Sequence, residues 1–236
     1  MHQLYDTLRN DEGDNYQMPL IGFGTYLDVG YDAIRNAISA GYRHIDTAEY
    51  YQNEEAVGKA VRDSGILRSD FFITTKLAPG GFGSPFKTYI QTIESFERSL
   101  KLLDFSYIDL YLIHHAFAKD ERIEQWRALV DLQRQGKVRN IGVSNWNIKH
   151  IEEIKMAGLQ LPSVNQIEIH PLCTQSDLVA YLRLNNIRIS AYSSLAPLST
   201  WRAENPGKSS KLEKNNIYIL EYLKWGTQIL KNIAVY

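Results

Sequence analysis

The chain has 236 residues, of which 44% are hydrophobic and 11% are aromatic. This length suits one large α/β domain, and the apolar share supplies a substantial core and excludes a disordered chain. The formal net charge of -1 gives no positive field to attract nucleic acid or an anionic membrane. Because Cys173 is the single cysteine, an internal disulfide is excluded and a reducing compartment is favoured. The N-terminus lacks a secretory signal and no apolar run reaches the roughly 20 residues of a membrane span, so we expect a cytoplasmic protein.

Short runs rich in branched and aromatic residues alternate along the chain with longer helical patterns. The short runs predict eight β-strands, at residues 20–25, 44–48, 71–77, 108–114, 140–145, 164–169, 187–194 and 233–236. The helical patterns lie near residues 31–41, 53–64, 85–103, 121–135, 147–157, 175–185 and 210–225. Strands that alternate with helices in this way predict a parallel sheet.

Such a sheet is either open and doubly wound or closed into a (β/α)8 barrel. Eight evenly spaced units with no long crossover favour the barrel. A doubly wound dinucleotide-binding fold would carry a third glycine after Gly22 and Gly24, but Leu27 stands at that position. We therefore predict an α/β protein with the (β/α)8 TIM barrel fold, as one domain over residues 1–236. A turn signal at Asp11–Asn15 predicts a β-hairpin that closes the N-terminal end of this barrel.

Four polar residues fall at or just after the ends of consecutive predicted strands: Asp46, Tyr51, Lys76 and His114. Reactive groups of such barrels lie at the C-terminal ends of the strands, so we expect all four in one mouth. Asp46 would keep Lys76 charged, and that ammonium would lower the pKa of Tyr51 from about 10. Tyr51 could then protonate a carbonyl oxygen to which His114 donates a hydrogen bond. The chain holds no hydride donor, so this chemistry requires a nicotinamide cofactor.

Each of these residues also has a purely structural interpretation. A residue such as Asp46 commonly caps a helix, Tyr51 could be a packing residue, and His114 could be a hydrogen-bonded core residue. Lys76 lies within an apolar run and must either reach solvent or be paired. Glycoside hydrolysis by Asp46 and Glu168 would leave Lys76 and Tyr51 unexplained. The joint placement at consecutive strand ends favours the catalytic interpretation.

The segments GYRHIDTAEYYQNE, FFITTK and DLYLIH resemble signatures of the aldo-keto reductases, which are NADP-dependent (β/α)8 enzymes that reduce aldehydes and ketones. The likeness runs from about Met18 to Tyr192 and weakens towards the end of the chain. Tyr50 is not the matching tyrosine, because the family's tyrosine lies five positions after the aspartate. The resemblance therefore implies that the catalytic residues are Asp46, Tyr51, Lys76 and His114.

Further segments, GKVRNIGVSNW, VNQIEIHP and AYSSL, resemble the same family. The resemblance implies that Ser144, Asn145 and Gln166 hydrogen-bond the nicotinamide carboxamide. Their donors and acceptors suit an amide, and a flat ring suits the stacking partner that the resemblance implies at Tyr192. The other implied cofactor contacts are Gly24, Thr25, Asp46, Ser193 and Leu195. Taken alone, Ser144 and Asn145 would be interpreted as a strand-to-helix turn in which the asparagine is a cap.

Two features depart from the family pattern. His115-Ala116 replaces the usual Trp-Pro, which implies a smaller and more polar substrate pocket formed by Tyr51, His114 and His115. The chain ends at Tyr236 without the family's Ile-Pro-Lys-Ser segment, which implies a C-terminally short member, with or without the last helix. Because that segment grips the 2′-phosphate, we expect weakened NADP binding, with NAD as an alternative. We expect a monomer that could associate through an uncovered barrel face.

The predicted function is therefore NADPH-dependent reduction of a small carbonyl substrate, with no nucleic-acid or membrane partner. A nicotinamide-binding accessory or sensor protein with weak catalysis is the alternative, and an inert truncated product is a third. No metal site is expected, because the six histidines show no ligand spacing. His114 and His115, as neighbours on a strand, are expected to point to opposite sides.

Overall fold

One sheet of eight parallel strands organises the molecule. The computed structural model describes residues 7–8, 18–26, 29–170, 173–194 and 233–235. The strands of this sheet are β3 Phe23–Gly24, β4 His44–Asp46, β5 Phe72–Leu77, β6 Ile108–Ile113, β7 Val138–Ser144, β8 Val164–Glu168, β9 Arg188–Tyr192 and β10 Ile233–Val235. Each strand pairs with the next in chain order, without the reversal that a doubly wound sheet contains. This order confirms the predicted barrel.

Helices connect the strands on the outside of the sheet. They are α1 Tyr31–Ser39, α2 Glu54–Asp63, α3 Tyr89–Leu103, α4 Arg122–Arg134, α5 Ile148–Met156 and α6 Ser176–Leu184. The predicted helix at 210–225 lies outside the described residues. None of the described helices is long and apolar enough to cross a membrane.

A short antiparallel pair precedes the barrel, as the sequence predicts. Its strands are β1 Thr7–Leu8 and β2 Met18–Pro19, with Leu8 paired to Met18. The predicted turn at Asp11–Asn15 lies outside the described residues. Met18 is fully buried against a small apolar cluster that includes Phe72 and Leu110. The hairpin therefore packs against the starts of the barrel strands and leaves their other ends open.

Two helix starts show what the sequence patterns resolve. Asn147 caps α5: its side-chain Oδ1 accepts a hydrogen bond from the His150 backbone N–H, and its own backbone N–H donates to His150 Nδ1. Helix α3 begins at Tyr89, four residues later than predicted, because Thr88 and Gln91 form a capping box there. A capping box fixes the first helical turn more strongly than the apolar pattern does.

Strand β5 shows how the fold presents a charge to the barrel interior. All residues of β5 and β6 are buried, since parallel strands are covered on both faces. Alternate residues of β5 share a face, so Phe72 and Lys76 point to the same side. Phe72 belongs to the apolar cluster near the hairpin. Lys76 therefore enters the barrel interior near the opposite, C-terminal ends of the strands.

Helix α2 lies unusually close to the end of α3. A Cβ added to Gly58 would lie 2.0 Å from the carbonyl oxygen of Leu103, which no ordinary contact allows. Arg62, one turn further along α2, donates to the same carbonyl at 2.8 Å. Glycine is therefore required at position 58 by the close approach of the two backbones.

Candidate active site

The C-terminal ends of the strands open into a cavity of about 800 Å³. Three of the four predicted catalytic residues, Asp46, Tyr51 and His114, line it. The fourth, Lys76, is fully buried directly behind the cavity wall. The structure thus brings the four side chains together at one cavity, as predicted from their positions at the strand ends.

Lys76 and Asp46 form an ion pair beneath this cavity. The Lys76 Nζ donates to Asp46 Oδ1 and, at 3.0 Å, to the carbonyl oxygen of Thr47. The same nitrogen lies 5.0 Å from the centroid of the Tyr51 ring. A charge this deeply buried is tolerated because a carboxylate and a carbonyl both receive its hydrogen bonds.

The pKa values of these groups depend first on burial. Burial lowers the pKa of Lys76, but the nearby Asp46 carboxylate and the Tyr51 hydroxyl outweigh it, and the pKa lies above the ordinary value. Burial raises the pKa of Tyr51, and the lowering effect of the Lys76 ammonium does not compensate. Lys76 therefore lowers the pKa of Tyr51 as predicted, but burial outweighs it and the net pKa lies above the ordinary value, which the sequence analysis did not anticipate. Tyr51 is protonated at neutral pH and holds a proton to give.

His114 lies beside the tyrosine hydroxyl. The His114 Nε2 is 3.5 Å from the Tyr51 hydroxyl oxygen. Burial and then the charge of Lys76 hold the pKa of His114 well below its ordinary value, so the imidazole is neutral. Its Nδ1 is buried and has no hydrogen-bond partner among the described residues.

The rings of His114 and His115 lie on the same side, and the prediction that they point oppositely was wrong. Their centroids are 4.5 Å apart and their planes differ by 5°. Strand β6 ends at Ile113, so the alternation of side chains along a strand does not extend to these two residues. His115 therefore lines the cavity next to His114, as the implied substrate-binding role requires.

A polar wall faces these four predicted catalytic residues. It consists of residues from the ends of β7, β8 and β9: Ser144, Asn145, Gln166, Tyr192 and Ser193. The Gln166 Nε2 donates to Asp46 Oδ2 at 2.8 Å, and the Ser144 hydroxyl donates to the Gln166 carbonyl at 2.9 Å. The Tyr192 hydroxyl donates to Asn145 Oδ1 at 2.8 Å. Hydroxyl and amide groups beside an aromatic ring fit a planar amide such as the carboxamide of nicotinamide.

The other predicted cofactor residues lie in different positions. Gly24 lines the cavity and pairs with Asp46 across β3 and β4. Thr25 is fully buried, and its hydroxyl donates to the carbonyl oxygen of Asp46 at 3.0 Å, so its side chain lies behind the wall. Leu195 lies outside the described residues. Glu168, considered for glycoside hydrolysis, bonds His170 at 2.9 Å, while Asp46 is engaged by Lys76.

The structure adds residues that the sequence analysis did not assign. Tyr26, Tyr50 and Phe82 also line the cavity. Asn53 joins two loops, since it accepts a bond from the Thr47 hydroxyl at 2.6 Å and donates to the carbonyl of Thr25 at 2.8 Å. Its position before an acidic helix start reads as an N-cap, but its side chain makes no capping bond. Only the folded loops reveal its bridging role.

Comparisons with known proteins identify the family of the chain. The family model described as the aldo/keto reductase family matches residues 27–234. The glyoxal reductase of Bacillus subtilis is 38% identical over 230 residues, which cover 95% of this chain and 80% of that protein. The crystal structure of an aldo/keto reductase from Brucella melitensis superimposes with a TM-score of 0.79 at 36% identity, covering 98% of this chain and 87% of the other. The Bombyx mori aldo-keto reductase in complex with NADP gives a TM-score of 0.71 at 33% identity, with coverages of 79% and 66%. The chain therefore belongs to the aldo/keto reductase family of oxidoreductases.

Proposed function

We propose that this protein reduces aldehydes or ketones to alcohols with NADPH and that Tyr51 is the proton donor. The observation that carries the proposal is the buried Lys76–Asp46 pair beneath a protonated Tyr51, with His114 at 3.5 Å from the tyrosine hydroxyl. A glyoxal reductase among the relatives supports carbonyl reduction.

Each residue of this group has a distinct task in the proposed reaction. The neutral His114 and the Tyr51 hydroxyl hold the carbonyl oxygen of the substrate between them. When bound, a nicotinamide cofactor would supply the hydride for the carbonyl carbon. Tyr51 gives its proton to the oxygen as negative charge develops there, and the Lys76 ammonium stabilises the phenolate that remains. Asp46 keeps that ammonium in place.

The raised pKa of Tyr51 is consistent with this direction of proton transfer. Burial keeps the phenol protonated before reaction, so the donor is loaded at neutral pH. Lys76 acts on the other side of the step, because its charge favours the phenolate once the proton has left. The ammonium is fixed in place before the reaction and needs no reorganisation when the charge appears.

The nicotinamide end of the cofactor is proposed to lie on the polar wall. Ser144, Asn145 and Gln166 would hold the carboxamide, and Tyr192 would stack against the ring. The solved complex of a related reductase with NADP supports NADPH over NADH. Ser193 and Gly24 border the same cavity and extend the proposed contact surface.

The test is oxidation of NADPH with a panel of aldehydes and ketones, with NADH measured alongside. Tyr51→Phe should lower kcat by about a hundredfold or more, since a positioned general acid contributes that much. NADPH affinity, measured by fluorescence titration, should stay within a factor of two or so of the original. Tyr50→Phe is the matched control, because among the described residues the Tyr50 hydroxyl donates only to the Gly80 carbonyl, at 3.4 Å.

Two results would contradict the proposal. One is a Tyr51→Phe variant that turns over as fast as the original protein. The other is NADPH binding without turnover across the whole panel, which would favour an accessory or sensor role instead. Loss of activity in both tyrosine variants would point to a general disturbance of the site.

A further inference from the structure

The tyrosine proposed as proton donor is carried by a single turn of 3-10 helix, Glu49–Tyr51. Within this turn the Tyr51 backbone N–H donates to the Ala48 carbonyl at 2.9 Å, and the Gln52 N–H donates to the Glu49 carbonyl at 3.4 Å. A 3-10 turn has poorer hydrogen-bond geometry than an α-helix, so it has little rigidity of its own. The position of Tyr51 therefore depends on what anchors the turn to neighbouring elements.

The Glu49 side chain is such an anchor. Its Oε2 accepts a hydrogen bond at 2.9 Å from the backbone N–H of Ala78, the residue after the end of β5. Both carboxylate oxygens also accept from the Lys87 Nζ, at 2.8 and 2.7 Å. The side chains of Glu49 and Lys87 are 20% and 19% exposed, so solvent screens their attraction only in part. Because Lys76 lies in β5, two residues before Ala78, the Glu49 carboxylate ties the turn to the strand that carries the buried ammonium.

Lys87 is itself held in place. Its backbone N–H donates to the Pro79 carbonyl at 3.0 Å, which closes the loop after β5 at its base. Gln125 of α4 is fully buried, and its Nε2 donates to the carbonyls of Pro79 and Lys87 at 3.0 and 2.9 Å. The base of the loop is thus fixed to α4. A cation on a fixed backbone loses less conformational freedom on pairing than one on a mobile loop, so Lys87 is a firm partner for Glu49.

The geometry of the site gives Tyr51 little tolerance. Its hydroxyl lies 3.5 Å from His114 Nε2, at the outer limit of a hydrogen bond. We propose that Glu49 is a positioning residue that acts through Tyr51, because its anchored carboxylate keeps the tyrosine hydroxyl within reach of His114. The inference rests on the proposed role of Tyr51 as the proton donor. A displacement of about 1 Å at a reacting group can lower the rate about a hundredfold, so loss of the anchor should affect the reaction more than cofactor binding.

Single-turnover oxidation of NADPH with 4-nitrobenzaldehyde tests the inference. Glu49→Ala removes the anchor and should slow this step about tenfold or more, while NADPH affinity, measured by fluorescence titration, stays within about a factor of two. Glu49→Gln keeps an oxygen for the Ala78 N–H and should recover part of the rate. Glu97→Gln is the matched control and should leave the rate unchanged, because Glu97 pairs with Lys137 just before β7, at the opposite end of the barrel from the cavity.

A second background shows whether Glu49 acts through Tyr51. The residual reduction by Tyr51→Phe is followed as product accumulation, and adding Glu49→Ala should change it by less than about a factor of two. An equal fall in both backgrounds, or a full rate in a folded Glu49→Ala variant, overturns the role of Glu49 and leaves the proposed reduction intact. Tyr51→Phe that reacts at the original rate overturns the proposed proton donor and this inference with it.

Crystal structures decide the inference without any turnover. Glu49→Ala should show a wider separation between the Tyr51 hydroxyl and His114 Nε2 than the original protein. An unchanged separation overturns the inference, whereas a protein that reduces no carbonyl compound overturns the proposed function. Thermal melting of each variant checks that it is folded. If Glu49→Ala does not fold, Lys87→Met takes its place, because it removes the same ion pair from the other side.

Discussion

Replacing Lys76 with methionine removes the buried ammonium and keeps a long, unbranched side chain. The side chains of Lys76 and Asp46 are 0% and 6% exposed, so the carboxylate is left buried without its ion-pair partner. Among the described side chains, Gln166 is then the remaining hydrogen-bond donor to the Asp46 carboxylate, at 2.8 Å. Breaking a buried pair from one side costs about 3–5 kcal/mol, against a total stability of about 5–15 kcal/mol for a typical domain.

We expect Lys76→Met to lower the free energy of unfolding by about that 3–5 kcal/mol. The assay is urea unfolding followed by the fluorescence of Trp126 and Trp146, which are both buried. Lys59→Met is the control, because the Lys59–Asp63 pair lies on the surface and should contribute nothing measurable.

A double variant decides whether the unpaired charge is the cause. Adding Asp46→Asn to Lys76→Met removes the carboxylate as well and should recover much of the lost stability. A single variant as stable as the original protein would refute the reasoning. So would a double variant no more stable than the single one, because the cost would then come from packing and not from charge.

Two further predictions concern the scaffold. Gly58→Ala should lower the free energy of unfolding by about 1–3 kcal/mol, because the added Cβ would collide with the Leu103 carbonyl. Gly30→Ala is the control in the same urea-unfolding measurement, because no atom lies within 4 Å of a Cβ added there. Burial lowers the pKa of His44 from 6.5 to about 3. Between these two pH values the unfolded chain binds a proton at His44 that the folded protein does not, so stability falls as the pH drops through this range. His44→Gln should flatten this slope in unfolding measurements at about pH 7 and about pH 5, and an unchanged slope would contradict the assignment.

The sequence was most informative where regular structure decides the outcome. Runs such as Phe72–Leu77 are apolar and branched along their length, and helices separate them at regular intervals, so strand order and barrel follow from simple rules. Asp46 and Lys76 lie near the ends of the paired strands β4 and β5, so their side chains meet whatever conformation the loops adopt. Parallel strands carry such residues to one edge of the sheet.

Two predictions failed: the direction of His115, which lies beyond the end of β6, and the net pKa of Tyr51, where burial opposes a nearby charge. His115 lies two residues beyond Ile113, and ring stacking, not strand alternation, sets its direction. The sign of the effect of Lys76 on Tyr51 was predicted correctly, but the larger opposing effect of burial depends on neighbours that are distant in the sequence. Asn53 was missed for the same reason, since its partner Thr25 is 28 residues away.

Asp46 uses its two oxygens for two different neighbours. One holds Lys76, and the other accepts from Gln166, which lies 120 residues further along the chain. The proposed proton donor and the proposed carboxamide site are thus linked through a single carboxylate. A substitution of Gln166 that alters the proposed carboxamide contact would also remove a hydrogen bond from the carboxylate that holds Lys76, so the two proposed roles are coupled.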